Sequence, residues 1–198
     1  MVICHNKKCI FIHIPKTAGT SIEQFLKDNN KNEIDLLGVK LGRAMHHYRA
    51  IDLKKEIPEL FKKYFKFSIV RNPYDRLLSE YYWCRIPEAG FKFGKTKTEF
   101  LNYVSKVIKN KNFYSNIYHE HFMPQYMFIY DSTIQVDNLF KYEDLDWTID
   151  YLKKKLSIEN DLKNLNKSRF TKEDWNENQK EIIYNLYKND FLLFNYQK

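Results

Sequence analysis

Lys16-Thr17-Ala18-Gly19-Thr20-Ser21 is a run of small and hydroxyl-bearing residues with one cation at its head. An apolar, β-branched stretch (Ile10, Phe11, Ile12, Ile14) leads into it and is closed by Pro15, and an amphipathic stretch with Ile22, Phe25 and Leu26 follows. The order is strand, tight loop, helix. Backbone N–H groups in such a loop, and at the helix start behind it, converge on one point and bind an anion. Lys16 adds a full positive charge, and Thr17, Thr20 and Ser21 add hydroxyl donors. The chemistry is that of a phosphate, or of a group shaped like one. A nucleoside-triphosphatase loop carries its lysine directly after the last glycine of G-x-x-x-x-G-K-[ST]. Here the lysine precedes Gly19 and no second glycine is near, so that pattern fails. Taken alone, the loop is equally readable as an ordinary strand-to-helix turn.

A second stretch of the same kind follows. Phe65, Phe67, Ile69 and Val70 read as an inner strand, Asn72-Pro73 turns the chain, and Leu77, Leu78, Tyr81 and Tyr82 recur at helical spacing. Arg71 then stands at the carboxyl end of a strand and Ser79 about two turns into the next helix. In an open α/β sheet, ligands sit beyond the carboxyl ends of the strands. If the two strands are parallel, both turns lie on one edge and call for a ligand with two anionic ends. Between the motifs lie His46 and His47, which point in different directions on any regular element, so at most one faces a site. Histidine is the usual general base near neutral pH, and a structural role is the plainer alternative.

IPKTAGTS followed by VRNPYDRLLS resembles the signature pair of the sulfotransferases that use 3′-phosphoadenosine 5′-phosphosulfate (PAPS), and more narrowly the branch with the carbohydrate and heparan sulfate 2-O-sulfotransferases. The resemblance implies an α/β, P-loop-like three-layer fold, with a central, mostly parallel sheet flanked by helices, in a single domain over 1–198. It implies that Lys16, Thr17, Ala18, Gly19, Thr20 and Ser21 hold the 5′-phosphosulfate, and that Arg71 and Ser79 hold the 3′-phosphate. His47-Tyr48-Arg49-Ala50 resembles the family's H-x-x-A segment, which makes His47 the general base, with His46, Arg49 and His121 as further acceptor-side candidates. His121-Phe122-Met123-Pro124-Gln125, Asp137 to Leu145, Leu165-Asn166-Lys167-Ser168 and Asp190 to Tyr196 are similar to the remaining family segments, and Lys167 and Ser168 would close over the nucleotide. Lys141 and Asn195 depart from it, standing where arginine and glycine are commoner. The activity implied is sulfuryl transfer from PAPS to a carbohydrate hydroxyl, with adenosine 3′,5′-bisphosphate as product and no metal required. Two other readings are a nucleotide-dependent phosphotransferase and a non-catalytic basic module binding acidic glycan or nucleic acid.

A net charge of +8 favours an acidic partner. By the resemblance this is the nucleotide and an acidic glycan rather than nucleic acid. Cys4, Cys9 and Cys84 are an odd set without metal-ligand spacing, which suggests a reducing compartment. With no apolar run long enough to span a bilayer and no signal-peptide core, a cytoplasmic protein is expected, the alternative being a Golgi-lumenal catalytic domain parted from its anchor. A short strand is expected around Leu36, Leu37 and Val39, and a helix from the Thr96–Glu99 capping box with Phe100, Leu101, Val104, Val107 and Ile108 on its inward face. A last helix over 172–188 is expected to turn Trp175, Ile182, Ile183, Leu186 and Tyr187 inward. Tyr114 to His121 suits either a sugar or an aromatic core. Arg76 either joins the phosphate site or pairs with Asp75 or Glu80. Glu143 either pairs a basic residue in the core or orients the histidine.

Overall fold

The computed structural model describes residues 2–28, 34–35, 47–86, 93–116, 118–162 and 174–198. Strands β1 (Val2–Cys4), β2 (Cys9–Ile12), β3 (Ile34–Asp35), β4 (Phe65–Val70) and β7 (Asn138–Lys141) form one sheet in the order β3-β1-β2-β4-β7, and β5 (Tyr130–Asp131) and β6 (Thr133–Ile134) form a separate hairpin. The helices are α1 (Gly19–Asp28), α2 (Ala50–Glu56), α3 (Pro58–Lys63), α4 (Pro73–Trp83), α5 (Lys97–Lys109), α6 (Tyr126–Ile129), α7 (Leu145–Leu156), α8 (Glu177–Leu186) and α9 (Lys188–Leu193). The chain divides into two compact units that interleave along the sequence, Met1–Val70 with Met127–Lys167, and Arg71–Tyr126 with Ser168–Lys198.

The first unit is the expected α/β layer structure. β2 pairs with β4, and β4 with β7, in parallel; β1 runs antiparallel to β2 and β3, so a parallel centre carries an antiparallel flank. Cys9 to Ile12 are all buried, as a strand without polar residues must be when both its faces are covered. Val2, Phe11, Phe67, Ile69 and Phe140 pack against Ile22, Phe25 and Leu26 of α1 and Ile149, Leu152 and Leu156 of α7. Those helical positions recur at the spacing that builds one apolar stripe. Asp137 pins the β4–β7 register: it accepts the Lys66 N–H at 2.7 Å and donates its own N–H to the Lys66 carbonyl at 2.9 Å. Cys4 and Cys9 are buried thiols directly opposite each other across β1 and β2. No described helix is long and apolar enough to cross a membrane.

The second unit is helical. The Thr96–Glu99 capping box opens α5 as expected; Phe100, Leu101, Val104 and Val107 are buried, while Ile108 is half-buried. Tyr81 meets Phe100 and Trp175 at ring distances of 5.3 and 5.9 Å, and the Trp175 indole N–H donates to the Tyr74 carbonyl at 3.0 Å. Between Tyr114 and His121 the core reading prevails at His119, whose Nε2 lies 2.6 Å from the Tyr103 hydroxyl. The expected last helix runs from Glu177 to Leu186 and ends at Tyr187, at φ −115° and ψ 22°, after which a further helix, α9, follows. Beyond that end Asp190 and Phe191 are buried, whereas Ile182, expected inside, is 39% exposed. Asn195 adopts φ 53°, a left-handed conformation that asparagine tolerates better than most residues, which explains why it can replace glycine there. Arg76 pairs with neither expected carboxylate. Its guanidinium is buried and donates to the carbonyls of His121 and Met123 at 3.1 and 2.9 Å. Only 34–35 of the third expected strand is described as strand; Leu36, Leu37 and Val39 lie outside the described residues.

Asp190, fully buried, accepts the N–H groups of Gln125 and Tyr126 at 2.8 and 2.9 Å. Asp190→Ala would orphan both donors and leave Arg76 without its nearby countercharge, so a loss of about 3–5 kcal/mol is expected in urea unfolding.

Candidate functional site

β2 and β4 run parallel with Ile12 opposite Ser68, so their carboxyl ends share one edge of the sheet. The loop from Ile14 to Ser21 leaves that edge. Its conformation is strained: Lys16 and Ala18 have φ of 67° and 66°. A side chain with a Cβ adopts that region at a cost of about 1–2 kcal/mol per residue. Left-handed residues interspersed in a loop curl successive amides toward one side, which is the geometry of an anion nest. The Thr17 hydroxyl donates to the Ile14 carbonyl at 2.9 Å, so it braces the turn. The Ala18 carbonyl accepts the Ile22 N–H at 3.1 Å and starts α1. The amides of Gly19, Thr20 and Ser21 form the first turn of that helix and have no acceptor within it. Ser21 is buried, Lys16 half-buried and Thr20 exposed.

Gly19 is required for space rather than for its backbone angle. A Cβ built there would fall inside the imidazole of His13, which lies across the loop. His13 Nδ1 is 2.9 Å from Glu23 Oε1 on α1. Burial pushes the Glu23 carboxyl up, but the hydrogen bond and charge of His13 lead the opposing effects that hold it at about 2. His47, 7% exposed, stands against His13 with ring centroids 4.4 Å apart and planes at 85°. Its Nδ1 is 3.0 Å from the His13 carbonyl oxygen. A carbonyl only accepts, so Nδ1 carries the proton and, in the neutral ring, Nε2 carries the lone pair. That is the tautomer a general base needs.

In the second unit, Asn72 caps α4 by accepting the Tyr74 N–H at 2.9 Å, with Pro73 in the first helical turn. Arg71, just ahead of the cap, is gripped by its main chain. Its N–H donates to Gln125 Oε1 and its carbonyl accepts from Gln125 Nε2, both at 2.9 Å. Gln125 is in turn held through its own N–H by Asp190. Ser79 is half-buried on α4, on the helix face that Asn72 begins.

The structure thus sets Gly19 of the loop and His47 against His13, and fixes Arg71 at the head of the helix that carries Ser79. Two acceptor-side candidates are engaged with carboxylates. Arg49 forks onto Asp52 at 2.7 and 2.8 Å, and His121 Nδ1 lies 3.0 Å from Glu80 Oε2 with its ring stacked on Trp83. Glu143 is exposed rather than buried in the core. His46, Lys167 and Ser168 lie outside the described residues. Sequence reasoning gave no role to His13, Glu23, Gln125 or Asp190. Gln125 and Asp190 stand inside recognised segments, and the signal for His13 was a polar residue interrupting an apolar run.

Compared with known protein families, the chain matches the model described as Sulfotransferase family over residues 1–197. No curated protein and no solved structure shows a significant match.

The depressed Glu23 carboxyl adds stability that is complete above its ordinary value of 4.5 and is lost as pH falls toward 2. Urea unfolding across that window is expected to show wild type losing stability more steeply than Glu23→Gln, the two curves converging at the acid end.

Proposed function

The chain belongs to the sulfotransferase family, and from that premise we propose that it moves a sulfuryl group from PAPS to a hydroxyl of a carbohydrate acceptor. The observation that carries this reading is the pairing, within one unit, of a strained anion loop with a buried histidine in its base tautomer. The donor supplies a sulfuryl group attached to a phosphate leaving group. Lys16 and the amides of Gly19 to Ser21 stabilise the negative charge that grows as that bond breaks, in a transition state where positioning and electrostatics supply most of the catalysis. His47 Nε2 takes the proton of the attacking hydroxyl. Arg71 and Ser79 take the 3′-phosphate by family resemblance, which also assigns Lys167 and Ser168 to the nucleotide. The lysine-rich surface, net +8, favours an acceptor already bearing carboxylates or sulfates.

Adenosine 3′,5′-bisphosphate at one hundred times its dissociation constant is expected to stabilise the protein by about 2.7 kcal/mol. ATP and AMP should do less, and Arg71→Ala should abolish the response. An equal response to AMP would remove the 3′-phosphate site from the reading. His47→Ala is expected to lower kcat by roughly 10²- to 10⁴-fold while bisphosphate binding persists; an unchanged kcat would exclude it as the base.

A further inference from the structure

A single hydrogen bond does not orient a ring. The bond from His47 Nδ1–H to the His13 carbonyl selects the tautomer, but the imidazole can still swing about the N–H···O line. A second contact is needed to hold the direction of Nε2, and the structure provides one. The His13 ring stands at 85° to the His47 ring with 4.4 Å between centroids. That ring is itself held on two sides, by Glu23 Oε1 at 2.9 Å from its Nδ1 and by the backbone of Gly19, where any side chain would collide with it. The ring is also stacked on Phe11, at 5.8 Å and 18°, a residue fixed in the centre of the sheet.

We infer that His13 and Glu23 are a positioning pair for His47, with His13 acting through its carbonyl and ring together, and with Gly19 leaving the space that lets the ring reach across the loop. The inference rests on the proposed role of His47 as the base. It adds that the first motif does two tasks through one segment: the loop binds the anion, and the residue before it aims the base. Neither His13 nor Glu23 touches the reacting atoms in this scheme.

Two measurements on the full chain test it. Side-chain 1H–15N correlation spectra of protein labelled at histidine read the tautomer of each ring. His47 is expected to carry its proton on Nδ1 in the wild type. In His13→Ala, which keeps the carbonyl but removes the ring, the His47 resonances are expected to shift or broaden as its orientation is released. Glu23→Gln keeps the shape of the side chain without its charge and guards against simple misfolding; it should give the same change in smaller measure. In kinetics, His13→Ala is expected to lower kcat by roughly 10- to 100-fold, as loss of a supporting partner does, with KM for the donor changed less than about twofold. Because the pair acts through His47, His13→Ala should cost nothing further in a His47→Ala background. Unchanged His47 resonances in His13→Ala, or losses that multiply in the double variant, would overturn the pair. Should the wild type prove inactive with PAPS while the spectra still respond, the donor assignment falls and the pair stands.

Discussion

One main-chain carbonyl, that of His13, ties the His47 ring to the segment that runs into the Lys16–Ser21 loop. It lies one residue past β2, at the start of the loop, and it accepts the Nδ1–H hydrogen bond that sets the His47 tautomer. Whatever moves β2 therefore moves the loop and the histidine together. The strand is in a position to carry that dependence, because it lies inside the sheet between β1 and β4 and has no exposed residue. Two left-handed residues in the loop would relax if the flanks allowed it. They are held by the Thr17 brace, by the first hydrogen bond of α1 and by the apolar packing of Ile22, Phe25 and Leu26. Strain of this kind persists only where the surroundings over-determine it.

The second unit solves a different problem. The backbone of Arg71 is fixed by a side-chain amide rather than by a sheet ladder. Gln125 can do this because it is buried and its own N–H is occupied by Asp190. A carboxylate buried to this depth is tolerated because two backbone donors and the nearby charge of Arg76 compensate its desolvation, although burial still pushes its carboxyl up. Arg76 accordingly belongs to the frame of this unit. The second motif thus contains one arginine whose backbone is presented and another whose side chain is spent inside.

Much of this was readable from local pattern. The strand, loop and helix around Lys16, and again around Arg71, are each encoded in about fifteen consecutive residues whose periodicity switches from two to nearly four. The capping box at Thr96 is likewise local. Partners brought together by folding were not readable. For Arg76 the local pattern offers the phosphate site or the carboxylates one and four positions away, yet it bonds carbonyls 45 and 47 positions away. Glu23 looks like one more charged residue on a solvated helix face, and nothing in its immediate neighbours says that an imidazole ten residues earlier will reach it.

The bond between Asp190 and the amides of Gln125 and Tyr126 spans 65 and 64 residues, and this imposes an order on biogenesis. A ribosome adding about 5–20 residues per second reaches residue 190 several seconds after it has made residue 126. Throughout that delay the nascent helices of the second unit hold a guanidinium and two amides with no carboxylate to receive them. The first unit can meanwhile mature, since its last described strand, β7, is already made. Vectorial synthesis therefore makes the strand-bound unit complete before the unit that Asp190 closes.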